Sequence, residues 1–167
     1  MERLLSGLYH WTTFHEGIRK MVHSYYIEAA EPAVLIDPRV PDEGLEWFEK
    51  RKKPEHIFLT NRHHYRLPGG IKALDAGVIC PEENVLYSPV GEGKLAVGDS
   101  LVRYEGELGF VPDALLGEDP EDIKRGIKNI FLSHMDRHFD NLLFAHGDPW
   151  IGGAKEGLRR YLESLPY

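Results

Sequence analysis

The sequence predicts an α/β (α+β) protein, a two-layered β core flanked by helices. Two observations carry this. Short apolar segments rich in β-forming residues fill the stretch from Gly7 to Tyr104 and return once after Asn141. Between and after them the spacing of apolar residues switches to that of helices, so the order strands, helix, strand runs twice along the chain. At 167 residues the chain fits one domain, 1–167, able to bury a core without disulfides.

Residues 7–14 are aromatic with β-branched threonines, and residues 21–29 carry β-forming side chains on both alternating sets, as in a strand packed on both faces. The run Ala33-Val34-Leu35-Ile36 is stopped by Asp37 and Pro38, and Glu31-Pro32 ahead of it marks a hairpin turn. Residues 41–51 change period. Leu45, Trp47 and Phe48 with charges between them suit an amphipathic helix with Pro41 in its first turn, ended by Pro54. Residues 56–60 then form a strand, which makes this a crossover unit with polar groups at its strand ends.

Four short strands are expected at residues 71–74, 84–88, 94–97 and 101–104, separated by Gly91-Glu92-Gly93 and Gly98-Asp99-Ser100. Gly91-Glu92-Gly93-Lys94 is no phosphate loop, because Leu95 stands where a magnesium-binding Ser or Thr belongs and Ser88 where the first glycine belongs. Asp119-Pro120-Glu121-Asp122 is a helix start, with a capping Asp, Pro at the first position and acids in the first turn. A strand at residues 141–145 and a last helix after Gly152-Gly153 complete the chain.

Composition narrows the partners. The formal net charge is −7 and Lys and Arg form no long stripe, which argues against nucleic acid. The one dense run, Lys50-Arg51-Lys52-Lys53, reads as the solvated end of a helix. No apolar run reaches membrane-spanning length and no signal peptide is visible, so a cytoplasmic protein with no membrane partner is expected. Cys80 is the single cysteine and carries no motif.

Polar groups follow four apolar strands directly: Asp37, the cluster Asn61-Arg62-His63-His64-Tyr65-Arg66, Asp99, and His146-Gly147-Asp148. Strands of one sheet bring such ends together, and sites are built there. A second pair, His134 and His138, has the i, i+4 spacing of a zincin helix, but Met135 occupies the place of the catalytic glutamate.

The order of these pieces resembles the metallo-β-lactamase superfamily, including its glyoxalase-II-like hydrolases, in shortened form. That family carries Thr-His-x-His-x-Asp-His after a strand, then Gly-His near a turn, a bridging Gly-Asp, and a late Gly-His-Gly. Here Thr60 and His63 match, whereas Asn61 falls on the first histidine, Tyr65 on the aspartate and Arg66 on the last histidine. Residues 76–79 lie near the Gly-His turn without a histidine. Gly98-Asp99 matches the bridging aspartate and His146-Gly147 the late histidine. The resemblance implies an αββα sandwich. It also implies a segment missing between Arg66 and Gly70, and if a second chain supplies that segment the protein is a homodimer.

By this correspondence His63, Asp99 and His146 survive as metal-type ligands. Tyr65 would have to lose a proton with a reference pKa of about 10. Arg66 cannot ligate, since its guanidinium stays protonated. A guanidinium about 4 Å from a dication repels it by roughly 8 kcal/mol at an effective dielectric of about 20, against about 10–16 kcal/mol for a complete zinc site. The expectation is therefore a pseudoenzyme with a degenerate metal site, no cofactor, and Arg66 paired with Asp99. Asn61, Arg62, His63, Tyr65, Arg66, Asp99 and His146 would then hold an anionic small molecule. The alternative is a hydrolase of ester or thioester-type substrates with one zinc, iron or manganese ion on His63, Asp99 and His146.

Overall fold

The computed structural model describes residues 1–60, 71–76, 78–79 and 83–167. Two five-stranded sheets form its centre. The first has the order β1 (Glu2–Leu5), β2 (Leu8–His15), β3 (Lys20–Ile27), β4 (Val34–Ile36) and β5 (His56–Phe58). The second contains β6 (Lys72–Asp75), β7 (Asn84–Ser88), β8 (Lys94–Val97), β11 (Asn141–Phe144) and β12 (Trp150–Ile151), in the order β12-β11-β8-β7-β6. A small ribbon of β9 (Val102–Tyr104) and β10 (Glu107–Gly109) stands apart.

Alternation along the strands makes three apolar layers. Leu8, Tyr25, Ile27, Val34, Ile36 and Phe58 of the first sheet meet Leu86, Ala96 and Leu143 of the second. On the outer face of the first sheet, Tyr9, Trp11 and Tyr26 pack with Trp47 and Phe48 around the short helix α1 (Glu46–Glu49). The opposite set of β8 and β11, including Leu95, Val97, Leu142 and Phe144, faces α2 (Pro120–Ser133) and α3 (Ala154–Ser164) through Ile127, Phe131, Leu158 and Leu162. The layers run α, β, β, α. Each large side chain buried there contributes about 1.5–3 kcal/mol.

Most expected strands are present within a residue or two. Asp119 caps α2 as its sequence demands, its carboxylate accepting from the Asp122 amide at 3.1 Å. Three readings need correction. The helix expected over residues 41–51 is a single turn, because Gly44 turns the chain at φ 73° and leaves Leu45 exposed. The basic run does close α1, with Lys50 at its C-cap and Lys50 and Lys53 exposed, but it is solvated only in part: Arg51 lies over the rings of Trp47 and Tyr9 at 4.0 and 4.3 Å, and Lys52 Nζ donates to the Ala30 carbonyl at 2.8 Å. Finally, α2 ends at Ser133, so His134 and His138 share no helical face. β1, β10 and β12 were not anticipated.

Among the described residues, no helix is long and apolar enough to cross a membrane.

Candidate functional site

Chain direction decides where the polar groups gather. β4 runs parallel to β5 and β8 runs parallel to β11, so each pair delivers the residues after its C-terminal ends to a common edge. Asp37 follows β4, Thr60 follows β5, Asp99 follows β8 and His146 follows β11.

Asp37 is fixed on every side. Its amide donates to the Phe58 carbonyl at 2.8 Å and its own carbonyl accepts from Ser24 Oγ at 2.7 Å. One carboxylate oxygen accepts from the Thr60 amide and the other from the Thr60 hydroxyl, both at 2.8 Å. The backbone sits at φ 44°, a conformation that Asp tolerates better than most residues. Burial pushes its pKa up to about 6, against the Thr60 hydrogen bonds and the nearby His146, with the charge of Asp99 adding to the rise.

His146 Nε2 donates to Asp99 Oδ1 at 3.2 Å. The aspartate side chain is partly open to solvent and the imidazole much less so. That hydrogen bond raises the pKa of His146 above its ordinary value, with burial opposing it and the Asp99 charge adding to it. His146 Nδ1 is buried, with no well-aligned hydrogen-bond partner among the described residues. Gly147 makes the turn possible. Its φ is 103°, and a Cβ there would meet the Arg103 carbonyl oxygen at 2.0 Å. The Arg103 amide donates to the His146 carbonyl at 3.4 Å and its carbonyl accepts from the Asp148 amide at 2.9 Å, locking the 146–148 segment against β9. Tyr104, half-exposed on the same strand, has its pKa raised by burial and by Asp99.

Behind the imidazole lies a histidine pair absent from the sequence reading. His10 on β2 and His23 on β3 are both buried, their rings 20° from parallel, with His10 Nε2 and His23 Nδ1 joined by a hydrogen bond of 2.9 Å. Burial lowers the pKa of each to about 4, so both are neutral near pH 7. The His23 amide reaches the Ala145 carbonyl at 3.2 Å, tying this pair to the strand that carries His146. His10 also lines a cleft of about 510 Å³ with Glu2, Leu4, Arg103, Asp148 and Trp150.

The structure thus brings together three of the four strand-end groups, Asp37, Asp99 and His146. Asn61, Arg62, His63, Tyr65 and Arg66 lie outside the described residues, and so does the expected Arg66–Asp99 contact. The shortened junction before Gly70 lies there too.

An αββα sandwich with a polar site at the C-terminal ends of its paired strands is the metallo-β-lactamase fold, and this chain has it. Solved structures bear the likeness over nearly the whole chain. The metallo-β-lactamase DIM-1 is 12% identical at a TM-score of 0.58, the match covering 98% of this chain and 95% of that one. An archaeal metallo-β-lactamase superfamily protein from Sulfolobus tokodaii is 13% identical at a TM-score of 0.56, covering 96% and 88%. A metallo-β-lactamase from Erythrobacter litoralis in its mono-zinc form is 14% identical at a TM-score of 0.57, covering 98% and 96%. No family model and no curated protein matches the sequence.

Among the described residues no group of three or more His, Cys, Asp or Glu side chains is arranged to hold a metal ion. Asp99 and His146 engage one another, and both oxygens of Asp37 are taken by Thr60. The resemblance sets Asn61, Tyr65 and Arg66, a weak neutral donor, a phenol and a cation, at further ligand positions, and all three lie outside the described residues.

Proposed function

We propose that this protein is a metallo-β-lactamase-fold pseudoenzyme that binds a small anionic molecule in the cytoplasm without hydrolysing it. The observation that carries the reading is the hydrogen bond from His146 to Asp99 at 3.2 Å. It commits two of the three surviving ligand-type residues to each other and leaves the imidazole positively inclined, its pKa raised by Asp99. A protonated His146, together with the cationic Arg62 and Arg66 that the sequence also carries, supplies donors suited to a carboxylate or phosphate. With three of the family's ligand positions filled by Asn61, Tyr65 and Arg66, no metal-activated water is available as nucleophile.

The test is a titration with inorganic phosphate and with succinate, followed through the imidazole NMR signals of His146. Saturable shifts that vanish in Arg66→Ala, while the fold is retained, support the reading. Shifts absent at millimolar concentrations of both anions count against it.

The convergence of Asp99 and His146 also favours a second reading, a hydrolase of ester or thioester-type bonds with one metal on His63, Asp99 and His146. A metal there would polarise the scissile carbonyl and lower the pKa of a bound water. Asp99 and His146 would then have to exchange their mutual hydrogen bond for ligation.

A further inference from the structure

Glu83 stands immediately before β7, in the stretch Glu82-Glu83-Asn84, which by composition is a surface turn. The structure buries it to 2% exposure. Antiparallel pairing explains the placement: β7 and β8 pair Ser88 with Lys94 and Leu86 with Ala96, so the residue before β7 lies beside the turn that follows β8. There Glu83 Oε1 accepts from the Ser100 amide at 2.6 Å, one residue beyond Asp99. Its second oxygen is buried, with no well-aligned hydrogen-bond partner among the described residues. The next residue holds the other side of the site. The Asn84 amide donates to the Thr60 carbonyl at 3.0 Å, and Thr60 in turn donates twice to Asp37.

We infer that Glu83 is a positioning residue, its buried carboxyl fixing the turn at residues 98–100 so that Asp99 meets His146. A buried carboxyl is costly, and its chemistry is kept where the hydrogen bond it accepts has a structural task. Burial raises its pKa to about 6, opposed by the Ser100 hydroxyl and by the Ser100 and Asp99 amides, with the charge of Asp99 adding to the rise. In a metal-bound relative the ion itself would hold the bridging aspartate in place; here a side chain behind the turn does so. The inference builds on the Asp99–His146 pair as the centre of the proposed binding site, but its test uses neither ligand nor metal.

The test reads the His146 Nε2–H proton by NMR, assigned by its loss in His146→Asn. In the wild type the bond to Asp99 slows its exchange with water and moves it downfield. Glu83→Gln keeps an oxygen to accept the Ser100 amide and preserves the signal. Glu83→Ala, and the better-filling Glu83→Met, abolish it at temperatures where both remain folded. A signal that persists in folded Glu83→Met, or disappears in Glu83→Gln, overturns the inference. Should neither apolar variant fold, Glu83→Gln decides alone, by keeping the signal or losing it.

Discussion

The Tyr25 hydroxyl donates to the Phe144 carbonyl at 2.9 Å and accepts from the Phe144 amide at 3.1 Å, bridging the two sheets with one fully buried side chain. Phe144 is the last residue of β11, two before His146. The bridge therefore anchors the strand end on which the site is built.

Removing that hydroxyl leaves a buried amide and a buried carbonyl unsatisfied, each costing about 1–3 kcal/mol. Tyr25→Phe is expected to destabilise the protein by about 2–4 kcal/mol in urea unfolding, with little change in the denaturant slope. A loss below about 0.5 kcal/mol would mean that water replaces both partners.

The His10–His23 pair makes stability sensitive to acid. Both imidazoles are held neutral in the fold, with pKa values lowered to about 4, while the unfolded chain takes up protons near the ordinary 6.5. Their contribution is complete above pH 6.5 and is lost as the pH falls toward 4. Asp37 and Glu83, raised to about 6, act in the opposite sense, because the folded chain binds those protons first. A variant isolates the histidines: His10→Gln places an amide near Nε2 and His23→Asn one near Nδ1, keeping the hydrogen bond without the titration. Between pH 7 and pH 5 the wild type should lose about 2–4 kcal/mol relative to this double variant. A difference that stays constant with pH would contradict the burial account.

Gly147 is the position where a side chain cannot be accommodated near the site. Its φ of 103° and the 2.0 Å approach of the Arg103 carbonyl both exclude a Cβ. Gly147→Ala should cost about 2–4 kcal/mol from backbone strain and overpacking together. It should also disturb the His146 imidazole signals, whereas Gly152→Ala, where a Cβ meets nothing within 4 Å, should leave those signals as they are.

Much of the fold is readable from residue alternation. β4, β7, β8 and β11 are short apolar runs and β2 and β3 longer β-forming ones, and each lies within a residue or two of its expected place. β1, β10 and β12 escape because they are short and carry charged or isolated residues whose pairing is set by the neighbouring strand. The helix of residues 41–51 is over-read because its apolar spacing outweighs Gly44, which the backbone uses as a turn. Within the site, Asp37, Asp99 and His146 are legible as polar residues ending apolar strands. The His10–His23 contact is not, since it depends on the register that sets Thr12 opposite His23 and His10 opposite Tyr25. Glu83 is hidden for the same reason: only the β7–β8 pairing shows that this acid faces inward.

The central claim is that Asp99 and His146 hold each other where a relative would hold metal. Its most direct measurement is the metal content of protein purified without chelators, for the wild type and His146→Ala side by side. The account predicts well under 0.1 equivalents of zinc, iron or manganese in both, with no change on mutation. One equivalent of any of these ions in the wild type, lost in His146→Ala, would contradict it and favour the single-metal reading in its place.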